Sequence, residues 1–583
     1  MMKRCLFWLV SVSAVNPSLF AAAEGPAWVM QSNAAAQPAL EYIGRYSAEY
    51  ASSLGLEKFD GSIADLKPGF YERSLADATK TLAELRARAV SETDPRVRQD
   101  IDILVTSTAD QIESTRLNHE LMLPYYDVPK AVFAGLHALL DERNTPERQA
   151  HALARLKNYI GGNGAGPFTA LAQARTSERF NDPKLVGPYV EEVNKNIAST
   201  ERYITGIAEL FKDAKITGWE PMHTQLASQL REYTAWVKKE IIPRSRKTNR
   251  LPEAIYTDNL KNYGVHLAPR ELIERAQFGF LEIRDEMQAI AQRIAAERKL
   301  PSSDYRDVLR ELKKQQITGD AVLPFYKQRL EELEKMIVEH DIVTLPQRKA
   351  SIRLASDAES SAQPAPHMSP PRLIGNQGEY GEFVLPLTNP TADSGAVQDD
   401  FTNDPFAWTL VAHEARPGHE LQFAAMVEQG VSIPRAVFAF NSANVEGWAL
   451  YCEAVMKQYM PLDGQLFSLQ ARLHRAARAF LDPLVNFGEL QPAEVKAFLM
   501  REVGLSDPFA TQEVDRYTYR APGQATAYYY GYMKIREIRA VTELKLRDKF
   551  NQKAFHDFIL RQGLLPPEVL TKAVLEDFIP RYR

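Results

Sequence analysis

Cysteine is almost absent, with Cys5 and Cys452 the only two in 583 residues. Cys5 falls in an N-terminal stretch expected to be removed, so one thiol remains and no intramolecular disulfide framework can form. No activating pattern surrounds Cys452, which reads as a buried apolar residue rather than a nucleophile. An excess of one charge is also missing: 70 basic residues face 75 acidic ones, a net charge of -5 that argues against a nucleic-acid partner. The basic run Arg244-Ser-Arg-Lys247 reads as a solvated loop. Long apolar runs are lacking beyond the first residues, so no integral membrane segment is expected once that stretch is gone. No Gly-x-Ser-x-Gly elbow is present, which disfavours a serine hydrolase, and Gly161 to Gly166 lacks the Gly-Lys-Ser/Thr ending of a phosphate loop. No solenoid-type repeat is visible.

What is present begins with Lys3 and Arg4, the apolar run Cys5 to Val15, and Ala21-Ala-Ala23. That order reads as a secretory signal peptide over residues 1–23, giving a soluble periplasmic or secreted product. Residues 24–355 read as an N-terminal region of successive amphipathic helices, including Ile101 to Glu120, Pro188 to Ala214 and Pro269 to Arg298. Residues 356–372, rich in Ser, Ala and Pro, read as an exposed linker. Residues 373–583 read as a helix-rich catalytic region. It starts with a small β element, Gly378 to Leu385, expected as an edge strand carrying Tyr380 beside the substrate.

Chemistry concentrates in Trp408-Thr-Leu-Val-Ala-His413-Glu414-Ala-Arg-Pro-Gly-His419-Glu-Leu-Gln422. Two histidines at i and i+4 lie about 40° apart on a helix and reach one ion. The spacing here is i to i+6, which an unbroken helix would open to roughly 240°. Pro417 and Gly418 lie between them and allow a break or bulge that could return His419 to the metal face; otherwise the segment is a kinked surface helix. A third ligand is expected from Glu446 in Asn444-Val-Glu446-Gly-Trp-Ala-Leu-Tyr-Cys-Glu453. Glu453, at i+7 on the same face, reads as the carboxylate that holds a ligating histidine. The site calls for one Zn²⁺ per chain on His413, His419 and Glu446, with Glu414 as general base; Mn²⁺ or Co²⁺ also suits the donors. Oxyanion donors and substrate contacts are sought in Asp515-Arg516-Tyr517 and Pro522-Gly-Gln524-Ala-Thr-Ala-Tyr528. Tyr528 is the choice, although Tyr528 to Tyr530 could equally be core aromatics. His474 reads as an exposed or cleft-edge residue rather than a ligand.

At these motifs, together with Glu513-Val-Asp-Arg-Tyr517, Phe555-His-Asp557 and Gly563-Leu-Leu-Pro566, the sequence resembles the bacterial family named domain of unknown function 885, grouped with gluzincin-type metallopeptidases. The resemblance implies a mainly α, two-lobed helical fold with a deep cleft, like that of angiotensin-converting enzyme and thimet-oligopeptidase-like enzymes. It implies ligands His413, His419 and Glu446, base Glu414, and a substrate-contacting Tyr528. The family often carries a histidine where this chain has Asn486, a departure that bears on substrate or transition-state contacts. The expected activity is hydrolysis of short peptides as a dipeptidase, carboxypeptidase or oligopeptidase. The rivals are a noncatalytic helical peptide-binding scaffold and a metallohydrolase of a non-peptide ester or amide.

Overall fold

The computed structural model describes residues 26–162, 164–387 and 399–582; the signal-like stretch lies outside the described residues. The structure is mainly helical, 71% helix against 3% strand. Among the described residues no helix is long and apolar enough to cross a membrane.

In the first half, α1 (Val128–Leu140) packs against α2 (Val190–Asp213), around Phe133, Tyr203, Ile204 and Ile207. Helix α3 (Pro269–Arg298) starts with Pro at its first position and ends at Lys299 in a left-handed conformation. Its Leu272, Ala276, Ile283, Met287, Ile290 and Ile294 recur at helical spacing and lie buried along the long helix Leu462–Phe487. Helix α4 (Val322–Glu339) follows.

A three-stranded sheet covers the middle of the chain. Strand β1 (Ser351–Leu354) runs parallel to β3 (Glu382–Leu385), and β2 (His367–Ser369) pairs antiparallel on the other side of β3. In register, Phe383 faces Ile352 and Met368 on its two neighbours. The expected edge strand is therefore the central one, with all four residues buried. Its Phe-Val-Leu run is continuous rather than alternating, the pattern of a strand covered on both faces. Tyr380 lies outside it, 45% exposed. The edge is β2.

Residues 356–372 also differ from the exposed linker expected. They hold α5 (Asp357–Ala362), opened by a Ser356/Glu359 capping box, and then β2. Ala358, Ser360 and Ser361 are buried, and a Cβ placed at Gly206 of α2 would lie 2.5 Å from the Ala358 methyl. The small residues that looked like loop composition serve close packing.

The second half carries α6 (Asp404–Glu414), α7 (His419–Gln429), α8 (Ser442–Met456), α9 (Leu462–Phe487), α10 (Asp507–Asp515) continuing into a wider turn at Arg516–Arg520, and α11 (Thr526–Leu546). Asn403 and Asn441 cap α6 and α8 by accepting from the amides of Phe406 and Asn444. The largest buried cluster joins α3 and α4 to these helices, so the core runs across the boundary expected at residue 355. Amphipathic spacing indicates that a helix is buried, not which partner covers it.

Candidate metal centre

The break between the two histidines is built into the turn 415–418. Helix α6 stops at Ala415 (φ -101°, ψ -100°), and α7 opens after Gly418 (φ -76°, ψ -130°), with a cis peptide bond between Arg416 and Pro417. A Cβ on Gly418 would lie 1.9 Å from the His413 carbonyl oxygen and 2.5 Å from that of Ala412, so only glycine fits. The Pro417 carbonyl accepts from Trp448 Nε1 (3.1 Å) and Cys452 Sγ (3.4 Å), tying the turn to α8. Arg416 is clamped by Glu420 (2.7 Å), Glu334 (2.6 Å) and the Arg348 carbonyl (2.5 Å). The result brings the His413 and His419 rings to 4.7 Å between centroids, nearly perpendicular at 86°.

Glu446 of α8 completes the group. Its Oε2 is 3.2 Å from His419 Nε2 and 3.6 Å from His413 Nε2, and one donor atom from each of the three residues lies within 4.8 Å of the others. Tetrahedral zinc with bonds of about 2 Å separates its ligands by roughly 3.3 Å, so the donors fit such an ion. His413 Nδ1 is held at 2.7 Å by Glu453, which also accepts from Thr409 Oγ1 at 2.5 Å. That leaves Nε2 to ligate. His419 Nδ1 is buried without a partner among the described residues. Burial alone would lower the His413 pKa, but hydrogen bonding to Glu446 and Glu453 and the charge of Glu414 overcome it and raise it to about 9. Burial disfavours charge on Glu446 too, yet its two histidine partners hold it well below the ordinary carboxylate range. Glu414 ends α6, with Oε1 4.0 Å from His413 Nε2, beside the donor set rather than within it.

Two glycines bring α11 against α8. A Cβ on Gly447 would lie 2.5 Å from Gly531 C, and one on Gly531 would lie 1.8 Å from the Ala443 carbonyl oxygen. This contact carries Tyr528 and Gln524 to the face formed by His413, His419 and Glu446. The Tyr528 ring stacks 6.2 Å from His413, and Gln524 Nε2 is 3.4 Å from Glu446 Oε1. Arg516 Nη2 is 3.4 Å from the Tyr528 hydroxyl. Tyr517 is fully buried and donates to Glu513 (2.7 Å), supporting the wall from behind.

Three residues depart from expectation. Tyr380 does not line the site; β2 does, through His367 and Met368. His474 is buried rather than exposed, because α9 is covered on nearly every side; burial and Arg478 lower its pKa to about 4. Asn486 donates to Asp482 (3.0 Å) and to the Tyr517 carbonyl (3.0 Å) without lining the cavity, so it secures the turn that carries Arg516.

Sequence reasoning also missed Arg475 and Arg478. Their guanidinium carbons lie 5.9 and 4.5 Å from the Tyr528 ring centroid, with that of Arg516 at 5.6 Å. The available signal was a polar stripe: Arg472, Arg475, Arg478, Asp482 and Asn486 recur every three or four residues along α9 and are all buried. The cavity that Arg475, Arg478 and Arg516 line holds about 250 Å³, with His413, Glu414, His419, Glu446 and Tyr528 on its wall. A more polar cavity of about 350 Å³, bounded by Asp127, Lys130 and Glu192, shares Gln363 and Arg516 with it.

A family model described as "Bacterial protein of unknown function (DUF885)" matches residues 49–574. A solved structure described as a "putative lipoprotein" from Colwellia psychrerythraea aligns with a TM-score of 0.76 at 17% identity, covering 94% of this chain and 99% of that one. Another so described, "of unknown function" and from Shewanella oneidensis, aligns with a TM-score of 0.71 at 18% identity, covering 95% and 100%. No curated protein matches the chain.

Proposed function

The chain belongs to the DUF885 family, and from that premise we propose that it is a zinc-dependent, gluzincin-like hydrolase of peptide bonds in short peptides. The observation that carries the reading is the convergence of His413, His419 and Glu446 within 4.8 Å at a buried cavity that also holds Glu414. Two histidines and a glutamate, with the second nitrogen of one histidine bound to a carboxylate, are the donor set of hydrolytic zinc sites. Their placement in a helical cavity bordered by a second, polar one supports a two-lobed cleft that admits short chains rather than folded proteins.

When bound, zinc would polarise the scissile carbonyl and acidify water. Glu414 takes the proton of the attacking water and delivers it to the departing amine. Tyr528, whose hydroxyl lies 3.4 Å from Arg516 Nη2, donates a hydrogen bond to the carbonyl oxygen as it gains charge. Glu453 fixes the ring orientation of His413, and Gln524 steadies Glu446. The free side of β2 offers backbone groups to an extended peptide. The lipoprotein descriptions of the structural neighbours and the signal-like start support an extracytoplasmic setting, periplasmic or secreted.

The test is a panel of short peptides and aryl esters given to zinc-loaded wild type and Glu414→Gln. Peptide cleavage by wild type alone supports the proposal. Cleavage of esters without peptides favours a hydrolase of another bond, and zinc-loaded protein that binds peptides without turnover favours a peptide-capturing scaffold.

A further inference from the structure

Three arginines face the metal cavity, but their charges are unequally engaged. Arg478 makes two short bonds to Glu513, 2.6 and 2.7 Å, which spend its charge on a fully buried carboxylate. Among the described residues Arg516 has only long contacts, 3.5 Å to Glu513 and 3.4 Å to the Tyr528 hydroxyl. Arg475 is 8% exposed and less well satisfied still. Among the described residues its Nε has no partner, its Nη1 reaches the Ala471 carbonyl at 3.3 Å, and its Nη2 stops 3.9 Å from Glu453. Glu453 already accepts from His413 and Thr409. A guanidinium carries five donors, and burying its charge with so few acceptors is unfavourable unless an anion joins it. Arg475 and Arg516 flank the same tyrosine ring that stacks on His413, so the anion they await lies beside the reacting bond.

Resting on the peptidase reading, we infer that Arg475 and Arg516 seat the free carboxylate at the C-terminus of the substrate peptide. The site then acts on peptides that end close to the scissile bond, as a carboxypeptidase or dipeptidase does. Phe401, Phe406, Leu410 and Phe509 line the same cavity and offer an apolar surface to the terminal side chain. The preferred substrate is a short peptide ending in an apolar residue with a free carboxylate. Arg475 belongs to α9, away from the histidine motif, and acts on substrate recognition rather than on the metal.

The test uses zinc-loaded Glu414→Gln protein and calorimetric binding of three peptides: one ending in phenylalanine as the free acid, its C-terminal amide, and an amide carrying an aspartate side chain. Wild-type cleavage of the same peptides is followed alongside. The acid should bind at least about tenfold more tightly than either amide, the scale of a charged hydrogen-bond partner. Arg475→Gln in the same background should narrow that ratio toward one, with zinc content and melting temperature measured to confirm an intact fold. Equal binding of acid and amide, with both cleaved by wild type, would overturn the carboxylate seat and leave the peptidase reading standing. Equal binding of the aspartyl amide and the acid would overturn the terminal assignment. If zinc-loaded protein neither binds nor cleaves any of the three, both readings fail.

Discussion

Glu453 Oε1 stands 2.7 Å from His413 Nδ1 across the α6–α8 interface, and Glu453 is wholly inaccessible to solvent. The carboxylate directs the opposite nitrogen of the ring to the face where His419 and Glu446 meet. Replacing it with glutamine keeps the shape and removes the charge. Glu453→Gln is expected to weaken zinc binding about 10- to 100-fold, measured by competition with a chromogenic chelator, with the secondary structure unchanged by circular dichroism.

The turn between the histidines depends on one missing side chain. Gly418→Ala places a methyl carbon 1.9 Å from the His413 carbonyl oxygen, which forces the two helices apart. The substitution should destabilise the protein by about 2–4 kcal/mol and abolish stoichiometric zinc binding. Denaturant unfolding and metal analysis check both effects. The Gly61→Ala variant, where a Cβ would meet only the Ala154 methyl at an ordinary 3.4 Å, serves as the comparison and should keep its metal.

Tyr528→Phe removes the hydroxyl that faces the cavity. Zinc content should stay near that of wild type, while kcat falls about 10²- to 10³-fold, the usual effect of deleting one oxyanion donor. Steady-state kinetics on a cleaved peptide, with metal content determined on the same sample, separates this effect from loss of the ion.

The polar cavity predicts a pH signature. Burial raises the Asp127 carboxyl to about 6 and the Glu192 carboxyl to about 7, the latter helped by the neighbouring Asp127 charge. Both folded-state values lie above the unfolded ones, so the native state binds extra protons between about pH 4 and pH 7. This contribution to stability is complete below about pH 4 and is lost as pH rises through that window, on the order of 3 kcal/mol for each group. The double variant Asp127→Asn/Glu192→Gln should therefore gain stability relative to wild type as pH is raised from about 4 to 7.5, followed by urea unfolding. Asparagine preserves the helix cap at 127, where the side chain accepts from the Lys130 amide.

The local parts of the site were legible because they are local. His413, Glu414, Pro417, Gly418 and His419 sit within one turn-helix segment, and Glu446 and Glu453 share one helix face, so periodicity places them. The strand at 382–385 was recognisable from its apolar run, but its central position depends on β1 and β2, whose residues carry no distinctive pattern. Arg475 and Arg478 escaped notice because their partners, Glu453 and Glu513, lie on other helices. A buried arginine on α9 resembles a surface arginine until the packing is known. The linker failed for the opposite reason: Ser and Ala are the residues of loops and also of close helix contacts, as at Ala358 against Gly206.

The central claim is one zinc ion held by His413, His419 and Glu446, with Glu414 as base. Elemental mass spectrometry of purified wild type, Glu414→Gln and His419→Ala, run beside peptide hydrolysis by all three, tests it most directly. The account predicts about one zinc per chain in wild type and Glu414→Gln, a deficit in His419→Ala, and cleavage by wild type alone. Absence of metal from every sample after zinc reloading, or full peptide cleavage by Glu414→Gln, would contradict it.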